Sequence, residues 1–90
     1  MFTFDLSQAS VKPSTLKLPI LRQGSSGSAV RVLQQLLNFK GFNLKVDGEF
    51  GLLTEEAVRD FQHINDLAVD GIVDAKTWYN LSAGLLPMAE

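Results

Sequence analysis

Two Asp-Gly dipeptides, Asp47-Gly48 and Asp70-Gly71, lie 23 residues apart in matching surroundings. LKVDGEFGLLTEEAV returns as LAVDGIVDAKTWYNL, so that Leu44, Val46, Asp47, Gly48, Phe50 and Thr54 recur as Leu67, Val69, Asp70, Gly71, Val73 and Thr77. Both the apolar spacing and the turn residues are kept, which marks one supersecondary unit used twice. Each copy reads as an extended segment whose apolar pair lies on the core, a tight turn, and the start of a helix. Two copies are too few for a solenoid and enough to organise one small domain.

Ahead of the repeat, GSSGS at 24–28 is followed by VRVLQQLLNFK. Val30, Leu33 and Leu37 fall within about 60° of one another on a helical wheel and form an inward stripe, with Gln34 on its edge. Ser25, Ser26 and Ser28 are all candidate caps for this helix, and Gly41 suits the left-handed residue that ends it. A second helix is expected over Leu52–Ile64, burying Ala57, Val58, Phe61 and Ile64, and capped by Gly51. A third carries Trp78 and Leu81, is capped by Asp74, and ends near Gly84. The fold class is therefore all-α: a compact bundle of three helices with two related loop-helix halves, preceded by an extended N-terminal arm. The arm spans 1–18, the domain 19–86 and a tail 87–90, with Leu85 and Leu86 folding back on the bundle.

Val32, Leu36 and Phe39 face away from the main stripe and make a second apolar flank. Either Phe2, Phe4, Leu16 or Leu18 of the arm covers it, or it docks another protein.

The chemistry available is narrow. With 90 residues the chain buries about 60 to 65% of its unfolded surface, too little for a large internal active site. A net charge of −2 gives no general attraction to nucleic acid or anionic membrane, and no apolar run approaches membrane-spanning length. Residues 1–20 show no signal-peptide pattern. There is no cysteine, and the single histidine, His63, sits about 150° from the centre of its helix stripe. Neither a zinc site nor a Ser-His-acid arrangement can be assembled from these parts. Asp47, Glu49, Glu55, Glu56, Asp70 and Asp74 could supply acid–base chemistry only if two faced each other across a cleft; at turns and helix starts they read as structural or solvated. Nothing after Asp47 follows the alternating oxygen ligands of an EF-hand. No metal, cofactor or catalytic residue is assigned.

Taken together, LRQGSSGSAVRVLQQLL, VDGEFGLLTEEAVRDFQ and LAVDGIVDAKTWYNL, from Pro19 to Leu81, resemble the small three-helix peptidoglycan-binding domains attached to bacterial cell-wall hydrolases. One departure is Val73-Asp74, where such domains usually carry a second Phe-Gly or Val-Gly. The resemblance implies a non-catalytic module that anchors a protein or assembly to murein, in the cell envelope or outside the cell. Its partner would be the glycan strand or the stem peptide of peptidoglycan, together with a hydrolase or other protein, with no nucleic acid and no membrane insertion. Candidate ligand-binding residues are Asp47, Glu49, Phe50, Thr54, Asp70, Asp74, Thr77, Trp78 and Tyr79, around a shallow groove beside the two turns. Phe50 and Trp78 also read as core, and Gln34 and Gln62 as bonded to loop backbone. The other reading is a protein-docking module, since a similar bundle occurs in the pro-segment of matrix metalloproteinases.

Overall fold

A computed structural model describes residues 18–83. Helix α1 spans Ser28–Phe39, α2 Leu52–Ile64 and α3 Ala75–Ser82. The helix α1 packs against both of the others. Between them lie the two Asp-Gly loops, and among the described residues the only β-structure is a pair of isolated antiparallel bridges, Leu21↔Val73 and Ser26↔Glu49. The three-helix reading of the sequence is the observed architecture. Most of the arm, the return of Leu85 and Leu86, and the tail lie outside the described residues.

The core is assembled from the predicted stripes. Val30, Leu33 and Leu37 of α1, Ala57, Val58 and Phe61 of α2, and Trp78 and Leu81 of α3 are buried together with Phe50 and Val73 from the loops. Leu21 joins them from the N-terminal segment, paired to Val73 through Leu21 N–H to Val73 O (3.1 Å) and Val73 N–H to Leu21 O (2.8 Å). Further along the same segment, Gly24 N–H donates to Phe50 O and Phe50 N–H to Ser25 O, each at 2.9 Å. One short stretch is thus laced to the residue two positions after each turn glycine, which are Phe50 and its repeat partner Val73. Trp78 adds a tie from α3, its indole Nε1–H donating to Pro19 O at 2.7 Å.

Several expectations are corrected. None of Ser25, Ser26 and Ser28 caps α1: Gly27 is the N-cap residue and no side chain bonds there. Ser25 instead accepts from Arg22 N–H, closing the preceding turn. Gln34, placed at the stripe's edge, is 1% exposed, because it sits only about 40° from Val30 on the wheel and its amide is fully partnered. Ile64 is 70% exposed; it lies about 90° from the centre of the buried face of α2, at the point where the helix stops. The helix α3 ends at Ser82, before Gly84. Only one member of each apolar pair packs inward, Leu44 and Leu67 against the core, while Val46 and Val69 are exposed. The second flank of α1 is also split: Leu36 packs on the core, and Val32 and Phe39 face outward.

The first two helices end alike. After α1, Gly41 N–H donates to Asn38 O and Phe42 N–H to Leu37 O; after α2, Asp66 N–H donates to His63 O and Leu67 N–H to Gln62 O. Both are Schellman closures, in which a left-handed residue reverses the chain and the next apolar side chain falls back on the core. Gly41 holds that conformation in the first, and Asp66, at φ 59°, in the second.

Candidate functional site

The two loops are built on one plan, each around a buried glutamine. Gln34 Oε1 accepts from Asp47 N–H at 3.0 Å and Gly48 N–H at 2.9 Å. Its Nε2 lies 3.1 Å from Asp47 Oδ1, 3.0 Å from Glu49 O and 3.1 Å from Thr54 Oγ1. Gln62 repeats the set 23 positions later in the loop: Asp70 N–H at 3.1 Å and Gly71 N–H at 3.0 Å donate to its Oε1, and Nε2 reaches Asp70 Oδ1, Ile72 O and Thr77 Oγ1 at 3.0, 2.9 and 3.1 Å. A primary amide is the group this position requires. It presents two acceptor lone pairs and two N–H donors, and the two backbone donors fix which end is oxygen.

Each turn aspartate completes its own loop. Asp47 Oδ1 accepts from Glu49 N–H and Asp70 Oδ1 from Ile72 N–H, both at 2.9 Å. The bond from Glu49 N–H, followed by that from the Gln34 amide, holds the Asp47 carboxyl below its ordinary pKa. A carboxylate whose pKa is depressed on folding contributes stability above its unfolded value of about 3.9, and that contribution is lost as pH falls through the lower folded value. Chemical denaturation between about pH 5 and 2 should therefore show a loss of stability that Asp47→Asn reduces, because asparagine keeps the acceptor oxygen without titrating. An identical slope in the variant would remove Asp47 from the acid limb.

The plan differs at the helix caps. Asp74, half-buried, accepts from Thr77 N–H at 3.2 Å and caps α3. Gly51 occupies the same place before α2 in an extended conformation, with no side-chain cap. Its backbone is allowed for any residue, and a Cβ built there meets nothing within 4 Å. Gly51→Asp should therefore reproduce the second cap and raise stability by a few tenths of a kcal/mol, read as a higher melting temperature.

Beside each turn lies a groove. The first, about 320 Å³, is lined by Gln34, Leu44, Lys45, Asp47, Glu49 and the start of α2 from Gly51 to Thr54. The second, about 220 Å³, is lined by the corresponding positions Gln62, Leu67, Ala68, Asp70, Asp74, Lys76 and Thr77, with Asp66 added. They are the same groove made twice with different walls. Leu52 and Leu53 stand on the first at 69% and 73% exposure, where the second copy of the chain has Ala75 and Lys76.

The candidate ligand residues thus divide. Phe50 and Trp78 are buried in the core, and Thr54 and Thr77 are buried beneath the turns. Asp47 and Asp70 brace the turns, and Asp74 caps α3. Glu49 is exposed on the rim of the first groove, and Tyr79, 70% exposed, is not among the residues lining either groove. Leu44, Lys45, Leu52 and Leu53 were missed as lining residues. The available signal was the adjacent pair Leu52-Leu53, which begins a helix outside its buried spacing. Among the described residues no cluster of three or more His, Cys, Asp or Glu could hold a metal.

Residues 26–81 match the profile of a family described as "Putative peptidoglycan binding domain". The spore cortex-lytic enzyme of Bacillus cereus is 46% identical over 59 residues, covering 64% of this chain and 23% of that enzyme. The zinc D-Ala-D-Ala carboxypeptidase of Streptomyces albus G is 44% identical over 61 residues, covering 64% of this chain and 24% of the other. Among solved structures, the SleB N-terminal domain superposes with a TM-score of 0.70 at 42% identity, covering 73% of this chain and 92% of that one. The chain spans about a quarter of the length of these two enzymes and nearly all of that isolated domain.

Proposed function

Since the chain belongs to the family of peptidoglycan-binding domains, we propose that this peptidoglycan-binding module works as an anchor, holding a protein or assembly against the wall without doing chemistry of its own. The observation that carries this reading is the extent of the family match, from 26 to 81, which takes in both loops and all of α1, α2 and nearly all of α3. The geometry is consistent with adhesion. Rigid helices hold two surface loops, and the loops border open grooves able to meet a polymer. The activities named for the two enzymes belong to longer proteins, of which the match covers about a quarter. In this chain the carboxylates Asp47, Asp70 and Asp74 are engaged in turns and a cap, which supports a structural role for these three.

Retention on a polymer arises from many weak encounters, and a second module in the same assembly would lengthen residence through effective concentration. Incubation with purified sacculi followed by centrifugation should deplete the chain from the supernatant, and labelled walls should release neither sugar nor peptide. A chain that stays in the supernatant at low salt would defeat the anchoring reading.

A further inference from the structure

The duplication supplies an internal comparison. Two grooves share a scaffold and a turn, yet only the first is lined by three leucines, Leu44, Leu52 and Leu53, two of them standing in solvent. Exposed leucines adjacent on the first turn of a helix contribute nothing to the core. Their repeat partners, Ala75 and Lys76, show that the fold does not require them. Both grooves carry both signs of charge, exposed Lys45 and Glu49 on the first and exposed Lys76 and Asp66 on the second, so the leucine wall is what separates them. Neither groove is lined by an aromatic side chain that could form a platform for a sugar ring. Phe50 and Trp78 are buried at 2% and 5% exposure.

We propose that the first groove alone is the ligand site, and that it takes the diamino acid residue of the murein stem peptide rather than the glycan strand. This deepens, and rests on, the peptidoglycan-binding reading. The occupant is set by complementarity. A diamino acid such as diaminopimelate combines a short methylene chain with an ammonium and a carboxylate. The chain lies over Leu44, Leu52 and Leu53, the ammonium faces Glu49, and the carboxylate faces Lys45. A strand of N-acetylated sugars without its peptides offers no ammonium, and would desolvate these charged side chains without pairing them.

The probe is a sugar-free tripeptide, L-alanyl-γ-D-glutamyl-meso-diaminopimelate, titrated into the full chain while backbone amide shifts are recorded. Shifts are expected at Lys45, Glu49, Leu52 and Leu53, and not between Ala68 and Lys76. Leu53→Lys, which copies the second groove, should weaken tripeptide binding at least tenfold while leaving the melting temperature unchanged, since Leu53 is 73% exposed. Lys76→Leu should leave affinity unaltered. Glu49→Gln and acetylation of the tripeptide's free side-chain amine should each weaken binding about threefold or more, and together no further. Sacculus sedimentation separates the two levels. Failure of the wild-type chain to sediment overturns both readings. Sedimentation together with shifts caused only by peptide-free glycan strands, or with unimpaired tripeptide binding by Leu53→Lys, overturns the stem-peptide site and leaves peptidoglycan binding intact.

Discussion

Gln34→Leu should lower the stability of the domain by about 3 to 5 kcal/mol, enough to leave a domain of this size largely unfolded at 37 °C. Leucine fills nearly the same volume, so the loss reports the amide. Without Oε1, the N–H groups of Asp47 and Gly48 lose their acceptor, and without Nε2, Thr54 Oγ1 loses its donor and Glu49 O keeps only Gly51 N–H. Gly48 and Thr54 are buried, so water cannot replace the missing partner without opening the loop. Each buried group left unpaired costs roughly 1–3 kcal/mol. Urea denaturation followed by the fluorescence of Trp78, the single tryptophan, measures the change directly. A loss below about 1 kcal/mol would mean that the turns hold themselves and the glutamine is incidental. Gln62→Leu should behave similarly, because the second set of bonds has the same partners at the same distances to within 0.1 Å.

This prediction also locates the function of the loops. Gln34 and Gln62 project from different helices, α1 and α2, so each loop is bonded to the helix that precedes it, while the helix that follows supplies the threonine. The turn is held on both sides. A surface carried this way is presented with little internal freedom, which lowers the ordering penalty when a ligand settles beside it. Divergence between the grooves could then proceed at Leu52, Leu53, Ala75 and Lys76 without disturbing the scaffold, since those four side chains bear no part of the glutamine network.

Much of this arrangement was legible in the sequence, for reasons that can be named. Val30, Leu33 and Leu37, and Ala57, Val58 and Phe61, recur at helical spacing because one face of each helix must be buried, and the structure buries them. The repeat displayed both loops at once, because the Asp-Gly turn and the following threonine keep their spacing whatever the helices do. Ile64 and the pairs containing Val46 and Val69 were misplaced, since apolar character shows what can be buried and not which surface the chain will cover. The cap at Gly27 was hidden by three serines that are better cappers than glycine in isolation. Gln34 was underestimated as an edge residue because a wheel weighs side chains by polarity, whereas here a polar group is buried together with its partners. The groove depended on the relative placement of residues 44–45 and 51–54 in space, which no periodicity encodes.

Gly48→Ala should destabilise the domain by about 2–4 kcal/mol, and more than the equivalent Gly71→Ala, although both glycines occupy the same position of the same turn. Gly48 has φ 78° and Gly71 φ 73°, so an alanine at either site adopts a left-handed backbone at a cost of roughly 1–2 kcal/mol. What surrounds the added methyl separates them. At Gly71 the close atoms belong to Glu55, whose Oε2 is 3.0 Å away, and to Arg59, a half-buried and an exposed side chain joined in an ion pair that can shift without moving backbone. At Gly48 the methyl meets Arg31 at 3.1 Å and also the carbonyl oxygen of Gly27 at 3.3 Å. That oxygen cannot retreat freely. It accepts the N–H groups of Val30 and Arg31 at the start of α1, and Gly27 N–H is bonded to Gly48 O at 2.9 Å. Pushing the two strands of chain apart at this point therefore disturbs a helix start and a loop together, whereas at Gly71 it moves only side chains. Parallel urea titrations of the two alanine variants measure the difference. Equal losses would show that backbone conformation alone sets the cost, and that the junction between Gly27 and Gly48 yields as readily as the surface around Gly71.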